Sequence, residues 1–529
     1  MSSAPQSWVA PTAPFNVADH LILPNLAPDR ARRPYMRCEN DTLTYGQLHE
    51  RSNRVGNVLR ALGVEPEQRV MLLLPDTLAF PVCFFGAVRI GAVAVPVNAM
   101  LRPADYSYML EDSRARVLIV DQGLWPQVSP FIGRMKFLRH VLIANGSVAG
   151  RPSLEERIAQ ASPELESEGM HPDDAAFWLY TSGSTGAPKA AVHLHHDIPF
   201  VTQHFSQPVL GLTERDIGFS AAKFGFAYGF GNSLYFCMPT GGCAVVQPAR
   251  PTAEACFATL ERFRPTVFYG GPALFNLMLN TYDAWLQGRQ NPPAKLPKLE
   301  HLRFSVSAGE SLPPVVFERW MKHFGTPILD GIGSTEMLHI FISNRPDALR
   351  PGSTGLVVPG YEARLLDEHG QDVKDEEIGA LLVKGDSAAA YYWNKHERSK
   401  ATMLGEWTVT GDQYHRDGEG YYWYHGRNDD MMKVSGSWVS PVEVENALLS
   451  HPAVAMCAVV GRKDATGLLK PRAVVVLKPG SKAGDALAEE LKAHVRKSIA
   501  GYKAPHWIEF VAELPMTATG KVRRFELRE

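Results

Sequence analysis

The chain reads as an α/β protein that carries a small antiparallel β unit and, after it, a compact α+β unit. Three observations predict this. Up to about Gly355, short apolar runs alternate with amphipathic stretches, the pattern of helices layered on largely parallel sheets. Beyond Gly355 the segments become alternating and turn-rich. After Gly426-Arg427-Asn428-Asp429-Asp430 comes a block of about one hundred residues, enough for a small separate domain. The division expected is therefore 1–428 and 429–529.

Taken in order, Tyr45 to Leu62 reads as a helix, because Leu48, Val55, Val58, Leu59 and Leu62 fall largely on one face. Val70 to Leu74, Ala92 to Val97, Val117 to Val120, Ala176 to Leu179, Thr266 to Tyr269 and Phe304 to Val306 read as buried strands. Phe80 to Val97 is the most apolar stretch, but Arg89 and two glycines interrupt it. A membrane span needs about 20 apolar residues, so a buried helix followed by a buried strand is the better reading. Glu362 to Leu366 and Ala380 to Lys384 alternate as strands of the β unit. The last block predicts a helix near Pro441 to Leu449, strands near Ala453 to Val460 and Ala473 to Leu477, and a helix near Ala486 to Ser498.

Composition narrows the function classes. A chain of 529 residues allows about three or four folding units. With 54 basic and 56 acidic residues the formal net charge is −2, which argues against a nucleic-acid partner. Six cysteines lie scattered without a C-x-x-C pair, so neither a zinc site nor a redox dithiol is indicated. Sparse cysteines and a polar, Pro-rich start suggest a cytoplasmic protein without a membrane partner. Monomer or homodimer stays open.

The strongest local signal is Tyr180-Thr181-Ser182-Gly183-Ser184-Thr185-Gly186-Ala187-Pro188-Lys189, entered from the strand at Ala176 to Leu179. Two glycines and four hydroxyls over 181–186 suit a loop whose backbone N–H groups turn inward around an anion, and Lys189 adds positive charge. It is not a Walker A loop: counted from Gly183, the second glycine position holds Pro188, and Ala190 follows the lysine.

This loop resembles the phosphate loop of the adenylate-forming superfamily, which includes acyl-CoA synthetases, adenylation domains and luciferases. Further stretches support the resemblance in the same order along the chain. Leu43-Thr44-Tyr45-Gly46-Gln47-Leu48 and Gly91-Ala92-Val93-Ala94-Val95-Pro96-Val97 are similar to packing segments of the family. Asp330-Gly331-Ile332-Gly333-Ser334-Thr335-Glu336 resembles its Y-G-x-T-E segment. That likeness implies that Thr335 contacts the α-phosphate and Glu336 helps hold Mg²⁺, a cation that usually takes one or two carboxylates plus phosphate oxygens. Ser307-Ala308-Gly309-Glu310 is similar to the segment that packs against adenine. Trp407-Thr408-Val409-Thr410-Gly411-Asp412 looks like the T-G-D segment, in which the aspartate binds the ribose hydroxyls, with Arg427 as a second contact. Read alone, Gly-Asp suits a hairpin turn. Pro515-Met516-Thr517-Ala518-Thr519-Gly520-Lys521 resembles the C-terminal loop that supplies the catalytic lysine, here Lys521.

The resemblance implies two doubly wound α/β subdomains plus the β unit in the large domain, and a mobile C-terminal domain. That domain would turn about Asp429 and bring Ser435 and Gly436 against the site, lining a tunnel for coenzyme A. ATP, Mg²⁺ and coenzyme A are the implied cofactor and co-substrates. The acid would meet Phe226, Ala227, Tyr228, Gly229, Tyr269, Ala308, Gly331, Gly333 and His339. Aromatic walls and small residues describe a short slot for a planar ring. The strings 222–232 and 333–341, with Tyr391, Trp393 and Asn394, look closest to ligases that join benzoate to coenzyme A. Hydroxy- and aminobenzoates stay open, since His339 could bond a ring substituent or simply pack in the core. So does a carrier-protein thiol in place of coenzyme A. His193, His195 and His196 follow the loop; a strand of alternating exposure is the expected reading, rather than a metal site.

Overall fold

The computed structural model of the protein describes residues 8–181, 187–434, 437–464, 467–517 and 521–528. Two large sheets form the N-terminal part. In the first, seven strands run in the order Tyr391–Tyr392, Lys189–Leu194, Ala175–Thr181, Val93–Pro96, Arg69–Leu73, Val117–Asp121 and His140–Ala144 among the described residues. Its last five strands are parallel, whereas Lys189–Leu194 and Tyr391–Tyr392 add antiparallel at one edge. The second sheet has nine strands among the described residues, with a parallel centre of Ile328–Gly333, Phe304–Ser307, Val267–Gly270, Ile217–Ser220 and Cys243–Val246. Parallel strands need long crossovers, and helices such as Ala79–Arg89, Ala253–Phe263 and Pro314–Phe324 supply them.

Local chemistry sets several boundaries. The helix Tyr45–Ala61 starts at a capping box in which Thr44 and Gln47 bond reciprocally. Phe80 to Val97 forms the buried helix Ala79–Arg89 and the buried strand Val93–Pro96. No helix among the described residues is long and apolar enough to cross a membrane.

A third, antiparallel sheet follows, built on Glu362–Leu366, Gly379–Lys384, Trp407–Arg416 and Tyr422–Arg427. The Thr410-Gly411-Asp412 segment is not a hairpin turn. It lies inside the ten-residue strand Trp407–Arg416, where Gly411 takes φ +78°. The final block has the helix Pro441–Leu449, the strands Val454–Lys463, Leu469–Leu477 and Trp507–Phe510, and the helix Asp485–Ser498. These surround their own apolar core of Met432, Val439, Val444, Leu448, Val459, Val475, Leu491 and Val495.

Candidate functional site

The expected residues converge at the seam between the two large sheets. Ligands of open α/β sheets bind beyond the carboxyl ends of the strands. Here Ala308-Gly309-Glu310 follows Phe304–Ser307, and Ser334-Thr335-Glu336 follows Ile328–Gly333. From the other sheet, Thr181 ends one strand and Lys189 opens its antiparallel neighbour, paired opposite it. Ser182, Gly183, Ser184, Thr185 and Gly186 lie outside the described residues, as do Ser435 and Gly436.

Lys189 crosses the seam. Its Nζ donates to Glu336 Oε1 at 3.3 Å and to the Tyr392 hydroxyl at 2.5 Å, and that hydroxyl donates to Glu336 Oε1. Burial pushes the Glu336 carboxyl up, but the Lys189 charge and the Tyr392 bond outweigh it and hold the group below its ordinary value. Burial lowers Lys189 despite Glu336. Asp330 is 6% exposed on Ile328–Gly333, and burial pushes its carboxyl well above the usual range.

Asp412 and Arg427 sit opposite each other on adjacent strands, 3.1 Å apart. Burial raises the Asp412 carboxyl; Arg427 and, more weakly, Lys521 oppose it. Lys521 approaches from the C-terminal part. Its Cε would lie 3.6 Å from a Cβ placed on Gly309, which takes φ +96°. Lys521 and Arg524 also oppose the burial that raises Glu310. The Lys521 N–H donates to Thr517 Oγ1 at 3.0 Å, and the Thr517 N–H donates to the Lys521 carbonyl at 2.7 Å. Near Asp429, Arg528 donates to the Asp429 carbonyl at 2.7 Å and also bonds Asp430.

The residues expected around the acid form an aromatic cluster. Phe226 caps the short helix Ala227–Phe230. The Tyr228 hydroxyl donates to the Val306 carbonyl at 2.9 Å, and its ring meets Tyr269 edge-on with centroids 6.4 Å apart. His339 is 2% exposed, packs 4.4 Å from Phe236 and sits 3.2 Å from the Tyr228 carbonyl through Nε2. Burial pushes it down to about 3, so the ring is neutral. A carbonyl only accepts, so Nε2 carries the proton and Nδ1 is the acceptor. Glycine is needed at two points: a Cβ on Gly229 would lie 2.3 Å from the Lys223 carbonyl oxygen, and one on Gly333 would lie 2.4 Å from that of His339. Gly331 is tight as well, 3.1 Å from Ile340.

The strand Lys189–Leu194 is buried through its middle four residues rather than alternating. From His193 on exposure does alternate, with His193 and His195 buried at 0% and 1% and Leu194 and His196 partly exposed, and His195 and His196 lie past the strand end. His193 bonds Asp197 and the Thr335 carbonyl. Sequence reasoning misses Tyr392 and this use of His193. The signal for Tyr392 was adjacency to the quoted Tyr391 and Trp393; for His193 it was an aspartate four residues on.

A two-domain α/β enzyme that uses a nucleotide is the class this fold and site define. The AMP-binding enzyme family matches residues 25–393, and the AMP-binding enzyme C-terminal domain matches 443–521. The chain belongs to the AMP-binding enzyme family. It is 47% identical over 516 residues to a benzoate–CoA ligase of Thauera aromatica, covering 97% of this chain and 96% of that one. The structure of the anthranilate CoA ligase AuaEII in complex with anthranoyl-AMP superposes with a TM-score of 0.92 at 41% identity, covering 98% of this chain and 97% of that one. A benzoate CoA ligase from Burkholderia xenovorans LB400 gives 0.88 at 46% identity, covering 97% of this chain and 100% of that one.

Proposed function

We propose that this chain joins an aromatic carboxylic acid, benzoate first among them, to coenzyme A through an acyl-adenylate, releasing AMP and pyrophosphate. The observation that carries the reading is the approach of Lys521 to Gly309 and Asp412, while Lys189 and Glu336 meet at the same seam. The similarity to benzoate– and anthranilate–CoA ligases over nearly the whole chain supports it.

A carboxylate is a poor electrophile because its charge repels nucleophiles. In the first step its oxygen attacks the α-phosphorus of ATP, the bond to the bridging oxygen breaks, and pyrophosphate leaves. Catalysis is then mostly positioning and charge neutralisation. Loop 181–189 holds the departing phosphates, and Lys189 faces them. Thr335 contacts the α-phosphate, and Lys521 lies between it and the acid. Asp412 and Arg427 hold the ribose. Ala308, Gly309, Glu310, Asp330 and Gly331 bound the adenine.

The residues present fit Mg²⁺. Glu336 is a half-buried, ionised carboxylate that already accepts a cationic neighbour in Lys189. When bound, the ion supplies charge neutralisation on the phosphates.

In the second step the domain 429–529 turns about Asp429, and Ser435 and Gly436 replace Lys521. The thiol of coenzyme A attacks the acyl carbon and AMP departs. Cytoplasmic action fits the six free thiols.

The test is AMP release by the purified protein with ATP, Mg²⁺ and coenzyme A over a panel of benzoate, hydroxy- and aminobenzoates, acetate and a long-chain fatty acid. Release that depends on coenzyme A and is strongest with an aryl acid supports the reading. A preference for aliphatic acids overturns the pocket assignment. Pyrophosphate exchange without turnover of coenzyme A points to a carrier-protein thiol. A second reading rests on His339: its Nδ1 is an acceptor without a hydrogen-bond partner among the described residues, which suits a ring amino or hydroxyl group.

A further inference from the structure

His193 sits four residues after Lys189 on the strand Lys189–Leu194, fully buried. Its ring is held on one face and at both nitrogens. One face stacks on Phe177 of the neighbouring strand, with centroids 5.1 Å apart and planes 14° from parallel. Nδ1 lies 2.7 Å from Asp197 Oδ2, and Nε2 lies 2.8 Å from the carbonyl oxygen of Thr335. Asp197, also 0% exposed, is itself fixed by the Leu194 N–H, which donates to the same Oδ2 at 3.1 Å.

Proton counting assigns the direction of these bonds. A carbonyl oxygen can only accept, so Nε2 must carry a hydrogen. Nδ1 faces the Asp197 carboxyl group, and the ring presents its Nε2–H to Thr335. A carboxylate behind an imidazole fixes both its tautomer and its orientation.

The carbonyl so held belongs to a tight turn. Strand Ile328–Gly333 returns as Ile340–Ser343 through 334–339, where Leu338 takes φ +64°. The Thr335 oxygen also accepts from the Leu338 N–H at 3.2 Å, and the Glu336 oxygen accepts from the Ala389 N–H at 2.7 Å. One strand therefore grips two consecutive residues across the seam: Lys189 takes the Glu336 carboxylate, and His193 takes the Thr335 carbonyl.

We propose that His193, oriented by Asp197, is a positioning residue for adenylation, setting the Thr335–Glu336 pair against Lys189 so that the α-phosphate and the divalent cation are met in register. This rests on the roles proposed above for Thr335 and Glu336. His193 touches no substrate; it acts through the peptide it holds.

The test compares His193→Phe, which keeps the ring stack and loses both nitrogens, with His193→Gln, whose amide can still donate to the Thr335 carbonyl. Three readouts are taken: acid-dependent pyrophosphate exchange, thioester formation from supplied benzoyl-adenylate and coenzyme A, and binding of Mn²⁺–ATP followed by electron paramagnetic resonance. Loss of an outer partner of a ligand typically costs about 10–100-fold. His193→Phe is expected to lose that much in exchange rate and to weaken Mn²⁺–ATP binding at least several-fold. Thioester formation from supplied adenylate and the KM for the acid should stay near the unsubstituted values. His193→Gln should recover most of the loss.

Equal loss in both half-reactions, or no recovery in His193→Gln, overturns the proposal in favour of a purely structural role. Glu336→Gln separates this failure from failure of the parent reading. Unchanged Mn²⁺–ATP binding in Glu336→Gln overturns the metal assignment itself. Weakened binding there, with normal binding in His193→Phe, overturns the positioning role alone.

Discussion

Lys189 Nζ lies 3.3 Å from Glu336 Oε1, and the phenol of Tyr392 bonds to both. In the proposed reaction each partner has a second task, the lysine on phosphate oxygens and the carboxylate on a cation. The pair must therefore open when the nucleotide enters. Disturbing one member changes the charge state of the other.

Tyr392→Phe tests that coupling through pH. The phenol is one of the groups that, with the Lys189 charge foremost, hold Glu336 below its ordinary value against the pull of burial. Without it the carboxyl rises, and a larger fraction is protonated at a given pH. The acid limb of kcat/KM for ATP should move to higher pH. A limb that stays in place, or moves down, would refute the coupling.

Lys521→Ala should separate the two half-reactions. Acid-dependent pyrophosphate exchange should fall by roughly 10² or more, the scale of losing one preorganised charge at the reacting centre. Thioester formation from supplied adenylate should persist. Equal loss of both would end the domain-alternation reading.

Gly333→Ala places a methyl group 2.4 Å from the His339 carbonyl oxygen, a backbone atom that cannot swing away. The expected cost is about 1–3 kcal/mol, read as a lower thermal midpoint, with a raised KM for the acid. Wild-type values of both would show that the turn 334–339 yields.

Stability should fall on acidification below the ordinary histidine value of 6.5. Burial lowers His339 to about 3, and His195 and His425 to about 4. Each has a depressed native value, so the unfolded chain binds a proton that the folded chain refuses. Their contribution is present above 6.5 and drains as pH falls toward the native values. His339→Leu removes one such proton, so the slope of unfolding free energy between pH 6 and 4 should drop by up to about 1.4 kcal/mol per pH unit. Denaturant titrations across that range measure it.

Much of the architecture was legible because local signals agree with the fold. Helix Pro441–Leu449 begins where Ser440 can accept from the Glu443 N–H and Pro441 can open the first turn. The short strings around Lys189, Glu336 and Asp412, which the fold brings near one another, were legible in order. What spacing could not supply was pairing across the seam. Tyr392 lies on a two-residue edge strand and reaches a carboxylate 56 positions earlier. His193 reaches a carbonyl 142 positions later. Gly411-Asp412 reads locally as a turn, yet pairing of Asp412 with Arg427 carries it through a strand.

The seam also bears on how such a protein could be remade. Lys189, His193 and Tyr392 belong to the seven-stranded sheet, while Tyr269, Gly331 and Gly333 lie on strands of the nine-stranded one. In the proposed site the acid walls and the Thr335–Glu336 pair therefore share one half of the scaffold, while Lys189 and His193 reach them from the other. Recombination that exchanges the second half between relatives would carry a new acid slot together with its own α-phosphate and cation contacts, and success would depend on Lys189 and His193 still fitting them across the seam.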